Sequence, residues 1–339
     1  MKYQSKKRAL MHLAAGAAVL SCLGAGVTAQ AADAADYPNH PIRLIVAYPP
    51  GGPVDIVGRA VAQVLSQELG GKSVVVDNRA GASGIVGTEV AAKAAPDGYT
   101  LLLGSSANSI LQSLYSKLPY DAQHDLVMIG GIGSAPFVLV TGAQVPANNV
   151  QELVALAKAK PGKLNYGSPG AGSPNHLSAE LMKSMTGIDV LHVPYKGAAP
   201  AETDLMGGQL TFMFDTIPSA LPLVASGKLR ALAVTSAQRS PAAPGVPTLA
   251  ESGLPGYDTG TWYGLMGPAG IPPAIVKQLN EALNRGLSKP AFVTRMASLG
   301  LQPMPDTSAQ FTSFFASEMD KWAKIVKLSG THLEFEAAK

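Results

Sequence analysis

Short apolar runs alternate with amphipathic stretches from residue 42 almost to the end of the chain. The runs at 42–48 (IRLIVAY), 73–78, 100–105, 125–133, 137–142, 164–168, 189–195, 210–215, 231–236 and 262–268 read as strands. Between the first two, Val54, Val57, Val61, Val64, Leu65 and Leu69 fall on one face of a helix over 54–69. Helical spacing follows over 84–94, from 109, over 149–159, 174–186 and 198–207, and near 218–226. Two amphipathic helices, near 272–287 and 308–328, close the chain.

Strands that are apolar throughout and alternate with helices predict parallel sheets covered on both faces. About ten strands are too many for one small sheet, so two β-α-β modules are the natural division. The chain is expected to cross between them near 134–136 and again in the Pro-rich connector 240–260. The expected fold class is therefore α/β: two lobes, two doubly wound, mainly parallel sheets and a hinged cleft. Residues 32–136 form the first part of lobe 1, residues 137–258 form lobe 2, and residues 259–339 return to lobe 1.

The N-terminus breaks this rhythm. Lys2, Lys6, Lys7 and Arg8 precede an apolar run that ends at the small-x-small site Ala29-Gln30-Ala31. That order predicts a secretory signal peptide over 1–31, followed by a soluble periplasmic chain. A retained anchor, or lipid attachment at Cys22, fits less well. Removing those four cations leaves 22 basic against 23 acidic residues, where the whole chain carries 26 against 23. The mature chain is then near neutral, with no basic stripe for nucleic acid. It also loses its one cysteine, Cys22, so no disulfide is available to it.

In open α/β sheets, ligands collect outside the carboxyl ends of the strands. After the first strand comes YPPGGPVD, giving Tyr48, Pro49, Gly51, Gly52 and Asp55. The glycines let a ligand approach the backbone. Pro53 suits the first position of a helix, whose free N–H groups attract anions. Asp55 reads equally as a ligand contact or as a structural partner of Arg59. Asn78 ends the second strand, beside Arg79; Ser105, Ser106 and Asn108 follow the third. In the second module, Ser168, Gly170, Gly172 and Ser173 precede a helix, with Ser173 as its N-cap. Tyr195, Lys196 and Gly197 end one strand, and Asp215 another.

These ends are rich in Gly, Ser, Asn and Pro and poor in charge. The six histidines are scattered, and no His/Cys/Asp cluster has metal spacing. Gly81, Gly84 and Gly87 match neither nucleotide-loop spacing. YGSPGAG is not a nucleophile elbow. His176 and His192 read as structural, with no nucleophile partner in view. Neither a catalytic residue, a metal nor a cofactor is expected.

The stretch 37–105, from YPNHPIRLIVAYPPGGPVD to TLLLGS, resembles the Bug family, the extracytoplasmic solute receptors of tripartite tricarboxylate transporters. LNYGSPGAGSPNHLSAELM, HVPYKG, FMFDT, ALAVTS and WYGLMGPAG resemble the same family in the same order. The resemblance implies a monomeric periplasmic-binding-protein fold of the type II, Venus-flytrap kind. Its ligand would be a di- or tricarboxylate, an acidic amino acid or an aromatic acid, passed to membrane permease subunits. It maps carboxylate contacts to the loop Tyr48 to Asp55, and to Ser168, Gly172 and Ser173. A sensor subunit with the same pocket, and less readily a secreted hydrolase, are the alternatives.

Overall fold

A computed structural model describes residues 36–334, so the expected signal peptide lies outside them. The first module opens with β1 (Ile42–Val46), α1 (Pro53–Glu68), β2 (Val74–Asn78), α2 (Ile85–Ala92), β3 (Thr100–Ser105), α3 (Ser106–Leu114) and β4 (Leu126–Ala135). The second contains β5 (Phe137–Gly142), α4 (Val150–Ala159), β6 (Leu164–Ser168), α5 (Pro174–Thr186), β7 (Val190–Pro194), α6 (Ala198–Met206), β8 (Phe212–Thr216), α7 (Ile217–Ala225) and β9 (Leu229–Val234). The chain then adds β10 (Thr261–Pro268), α8 (Pro273–Leu287), α9 (Pro290–Ser298), β11 (Gln302–Pro303) and α10 (Ser308–Ser329).

Two sheets result, ordered β11-β4-β10-β3-β1-β2 and β7-β6-β8-β5-β9. Both are mixed. β10 runs against β3 and β4, and β5 runs against β8 and β9. β1, β2, β3 and β4 nonetheless share one direction, as do β6, β7, β8 and β9. Apolar patterning marks a strand as buried on both faces but carries no sign of its direction, which is why the reversed strands were invisible. Two elements were also missed: α9, which Pro290 restarts directly after α8, and the two-residue β11.

Only Pro136 separates β4 from β5. Ala135, ending β4, pairs with Thr261 at the start of β10, and Phe137, starting β5, pairs with Thr216 at the end of β8. The carboxyl edges of the two sheets are thereby forced together. The return crossing is stitched to the first by one side chain. The buried Thr235 hydroxyl accepts from Phe137 N at 2.8 Å and donates to the Thr259 carbonyl at 2.7 Å. Backbone bonds from Thr235 N to Phe137 O (2.9 Å) and from Thr259 N to Thr235 O (3.1 Å) complete the stitch.

Each face of the second sheet has its own core. Phe137, Tyr166, Phe212 and Phe214 meet α4 and α5, while Val138, Val140 and Met213 meet α6 and α7. The modules also share apolar packing: Ile110 and Leu114 of α3, Leu177 of α5, and Trp322, Ile325 and Val326 of α10 form one cluster. Beside it, buried Glu318 accepts both indole N–H groups, from Trp262 at 3.1 Å and Trp322 at 3.0 Å, and pairs with Lys321.

Thr235→Val keeps the shape but leaves the Phe137 N–H and the Thr259 carbonyl without that partner. Urea unfolding should show a loss of about 1 to 3 kcal/mol.

Candidate functional site

The loop after β1 is held from within. Gly51 adopts φ +83°, a conformation that favours glycine, and its N–H donates to Asp55 Oδ2 at 2.9 Å. Arg59 Nε donates to the same oxygen at 2.9 Å, and Asn78 Nδ2 donates to Asp55 Oδ1 at 2.9 Å. Asn78 Nδ2 also reaches the Tyr48 carbonyl at 3.0 Å. Burial raises the Asp55 pKa, but the hydrogen bonds from Arg59, Gly51 and Asn78, with the Arg59 charge, outweigh it and lower it to about 2. Asp55 is thus an ionised brace whose oxygens are both occupied.

The brace leaves the helix mouth open. Gly52 is the N-cap of α1 and Pro53 sits at its first position, as expected. Among the described residues nothing accepts from the N–H of Gly52, Val54 or Asp55. These are the orphan donors of a helix start, at its electropositive end. Gly52 has φ −79°, and a Cβ there would meet only Pro49 O, at 3.7 Å. The fold therefore has room for a side chain at 52, whereas at 51 it demands glycine.

The loop after β2 holds the contribution the sequence concealed. Gly81, Ala82, Ser83 and Gly84 have φ +152°, +45°, +55° and +96°, two of them non-glycine residues in the left-handed region. Such strain persists only where the surroundings hold it. Here Tyr48 OH donates to Ser83 O at 3.2 Å, and a Cβ on Gly84 would lie 3.2 Å from that phenol oxygen. Flanking glycines were the only sequence signal. Arg79, which follows Asn78, is turned onto Asp77, its Nε donating to Oδ1 at 3.1 Å.

After β3, Ser105 N donates to Asn108 Oδ1 at 2.8 Å, while Asn108 Nδ2 reaches Thr88 Oγ1 at 2.9 Å, and Thr88 Oγ1 donates to Gly84 O at 2.9 Å. Asn108 thus locks the start of α3 to the strained turn. Ser106 Oγ lies 3.2 Å from Thr261 Oγ1, on the return crossing.

In the second module, Ser173 caps α5, accepting from His176 N at 3.2 Å. Gly172 has φ +76°, and its N–H donates to His176 Nδ1 at 3.1 Å. Ser168 is fully buried, with its Oγ 2.6 Å from His192 Nε2, so the expectation that neither histidine meets a nucleophile-type side chain is corrected. Residues 24 apart on neighbouring parallel strands brought the pair together. Ser168 Oγ also donates to Gly170 O at 3.1 Å and accepts from Gly170 N at 3.2 Å. One assignment satisfies all three contacts: His192 Nε2–H donates to the hydroxyl, whose own proton points to Gly170 O. That orientation braces a loop and does not activate a nucleophile.

Tyr195 and Gly197 tie back to this loop through Tyr195 N to Ser168 O (2.9 Å) and Gly197 N to Pro169 O (3.0 Å). The Tyr195 hydroxyl turns away to Asp204 Oδ2 at 2.5 Å; burial and that carboxylate push its pKa up to about 12. Lys196 is exposed and, among the described residues, unpaired. Asp215 is fully buried at the end of β8; its Oδ1 accepts from Thr216 N at 2.7 Å, while its Oδ2 makes no well-formed hydrogen bond and has the Glu202 carboxylate as its neighbour. Burial, then the nearby Glu202 carboxylate, raises its pKa to about 7. A separate cavity of about 280 Å³ lies at the crossings, walled by Ser134, Pro136, Asp258, Trp262 and Lys321, and none of the expected ligand residues lines it.

Two α/β modules joined edge to edge, with glycine-rich loops at their carboxyl ends, define a two-lobed solute-binding protein. The family model of the tripartite tricarboxylate transporter family receptor matches residues 57–331, and the chain belongs to that family, whose members are receptors and not enzymes. It is 40% identical over 300 residues to protein BugT of Bordetella pertussis, covering 88% of this chain and 92% of that one. Rpa4515 of R. palustris, solved with adipate, is 34% identical with a TM-score of 0.77, covering 88% of this chain and all of that one. MatC of Rhodopseudomonas palustris, solved with bound malate, is 30% identical with a TM-score of 0.71, covering 86% of this chain and all of that one.

Asp55→Asn should lower stability near neutral pH by about 1 to 3 kcal/mol. The folded-state pKa of Asp55 is depressed, so its contribution is present above the unfolded value and lost as pH falls through about 2. Melting temperatures of the two proteins should therefore converge as the pH drops from about 4 towards 2.

Proposed function

We propose that this receptor works in the periplasm, where it captures a small carboxylate between its two sets of loops and delivers it to the permease of a tripartite tricarboxylate transporter. The observation that carries the reading is the mouth of α1. Asp55 and Asn78 hold the loop rigid, Gly52 has space for a side chain yet carries none, and the Gly52, Val54 and Asp55 N–H groups stay unpartnered. That is a preorganised anion site made of backbone. The relatives solved with adipate and malate support a dicarboxylate, and the family description supports the permease.

In this reading Tyr48, Pro49 and Gly51 shape the first loop, and Ser105 and Ser106 extend it. Gly170, Gly172 and Ser173 present the opposite wall, with buried Ser168 bracing it from behind, and exposed Lys196 draws anions towards it. Asp215, buried beside Glu202 at the end of β8, shapes the floor behind this wall. Ligand bridging both walls favours the closed arrangement by binding it more tightly than the open one.

A thermal-shift screen of residues 32–339 with adipate, malate, amino acids and sugars tests this. An acid at about 100 times its Kd should add about 2.7 kcal/mol of stability. A response to sugars alone overturns the assignment. Gly52→Val should abolish the acid response while leaving the melting temperature of the free protein within a few degrees, since the backbone there accepts a side chain.

A further inference from the structure

Behind the second ligand loop lies a stack of rings. His176 and His192 have centroids 3.9 Å apart with 17° between their planes, and Tyr166 stacks on His192 at 4.9 Å. Each histidine holds a different point of the loop: His192 meets Ser168 at its start, and His176 accepts the Gly172 N–H near its end. We infer that His176 and His192 are positioning residues for ligand capture: stacked and neutral, they hold loop 168–173 in its binding shape, and protonation of the pair releases it. The inference rests on the reading of that loop as a ligand wall.

The chemistry follows from which nitrogen is free. His176 Nδ1 accepts from Gly172, so a proton arriving there removes the acceptor and confronts the Gly172 N–H with another donor. A proton on each ring would also set two like charges face to face. The surrounding charges do not offset this. Glu180 Oε1 lies 3.9 Å from His176 Nε2, but it already accepts from Tyr166 OH at 2.5 Å and Lys183 Nζ at 2.7 Å. Lys183 itself disfavours a second cation. The residues of α3 and α10 packed against α5 at Leu177 are apolar: Ile110, Leu114, Trp322, Ile325 and Val326.

Burial holds both rings below the usual histidine range; for His192, burial, then His176 and Lys183, bring it to about 3. An unfolded histidine titrates near 6.5. The pair's contribution is therefore complete above about 6.5 and is lost progressively as pH falls towards the folded values.

The test follows the loop without any ligand. In protein labelled with ¹⁵N-glycine, the Gly172 amide resonance should move as pH falls from below 6.5 towards about 3, ahead of global unfolding. His176→Asn places an amide oxygen near the acceptor position and cannot titrate, so its Gly172 resonance should stay constant. His176→Leu should displace that resonance at every pH. His192→Gln, which keeps a donor for Ser168, should weaken the pH response without displacing the loop at neutral pH. A wild-type Gly172 resonance that is invariant until unfolding, or one unmoved by His176→Leu, overturns the inference. As a second arm, the wild-type Kd for adipate should rise at least tenfold more than that of His176→Asn between pH 7 and 4.5, the comparison cancelling protonation of adipate itself. If adipate does not bind at all, the ligand reading fails while the amide arm still decides the role of the histidines.

Discussion

One residue of chain separates the two sheets, and most of the architecture depends on it. Because Pro136 alone joins β4 to β5, the carboxyl edge of one sheet must sit at the carboxyl edge of the other. Parallel strands place their loops and helix starts at that same edge. The close crossing therefore turns the loop-bearing edges of both sheets, where α1, α3 and α5 begin and the strands end at Ser168 and Asp215, towards the same side of the junction. Thr235 makes the arrangement unique by binding both crossings through one hydroxyl.

Within that region the charged and amide side chains are largely committed to the protein itself. Asp55, Asn78 and Asn108 each satisfy backbone or side-chain groups of their own module, and Tyr195 is turned onto Asp204. What remains for a guest is backbone N–H, hydroxyl and the positive ends of helices. Under the proposed function, such an arrangement favours negative charge without fixing the rest of a ligand.

The sequence revealed this design unevenly. Helix and strand succession was legible because apolar spacing reports burial directly, and Ser173-Pro174 announced a helix start that the structure contains. Strand direction was not, since β5 and β10 are as apolar as their parallel neighbours. The loop after β1 stood out through its Pro and Gly content, yet whether Asp55 faced inward depended on Asn78, 23 residues away. The Ser168–His192 pair and the Thr235 stitch are likewise contacts between distant residues with no local signature. Ala82 and Ser83 show a further limit: their left-handed backbone is imposed by Tyr48 and the flanking glycines, against the preference of the residues themselves.

The carboxylate of Glu318 has a consequence for spectroscopy. It collects both tryptophans of the chain at one point, beside the cavity at the crossings, with one indole on β10 and the other on α10. Intrinsic fluorescence of this protein is therefore a signal from the seam between its modules. Excited beyond the absorption of tyrosine, the two indoles report rearrangement of that seam, whereas Tyr48 and Tyr195 stand in the loops themselves. A label-free optical measurement would thus read the proposed closure apart from occupancy, two quantities that binding assays usually merge.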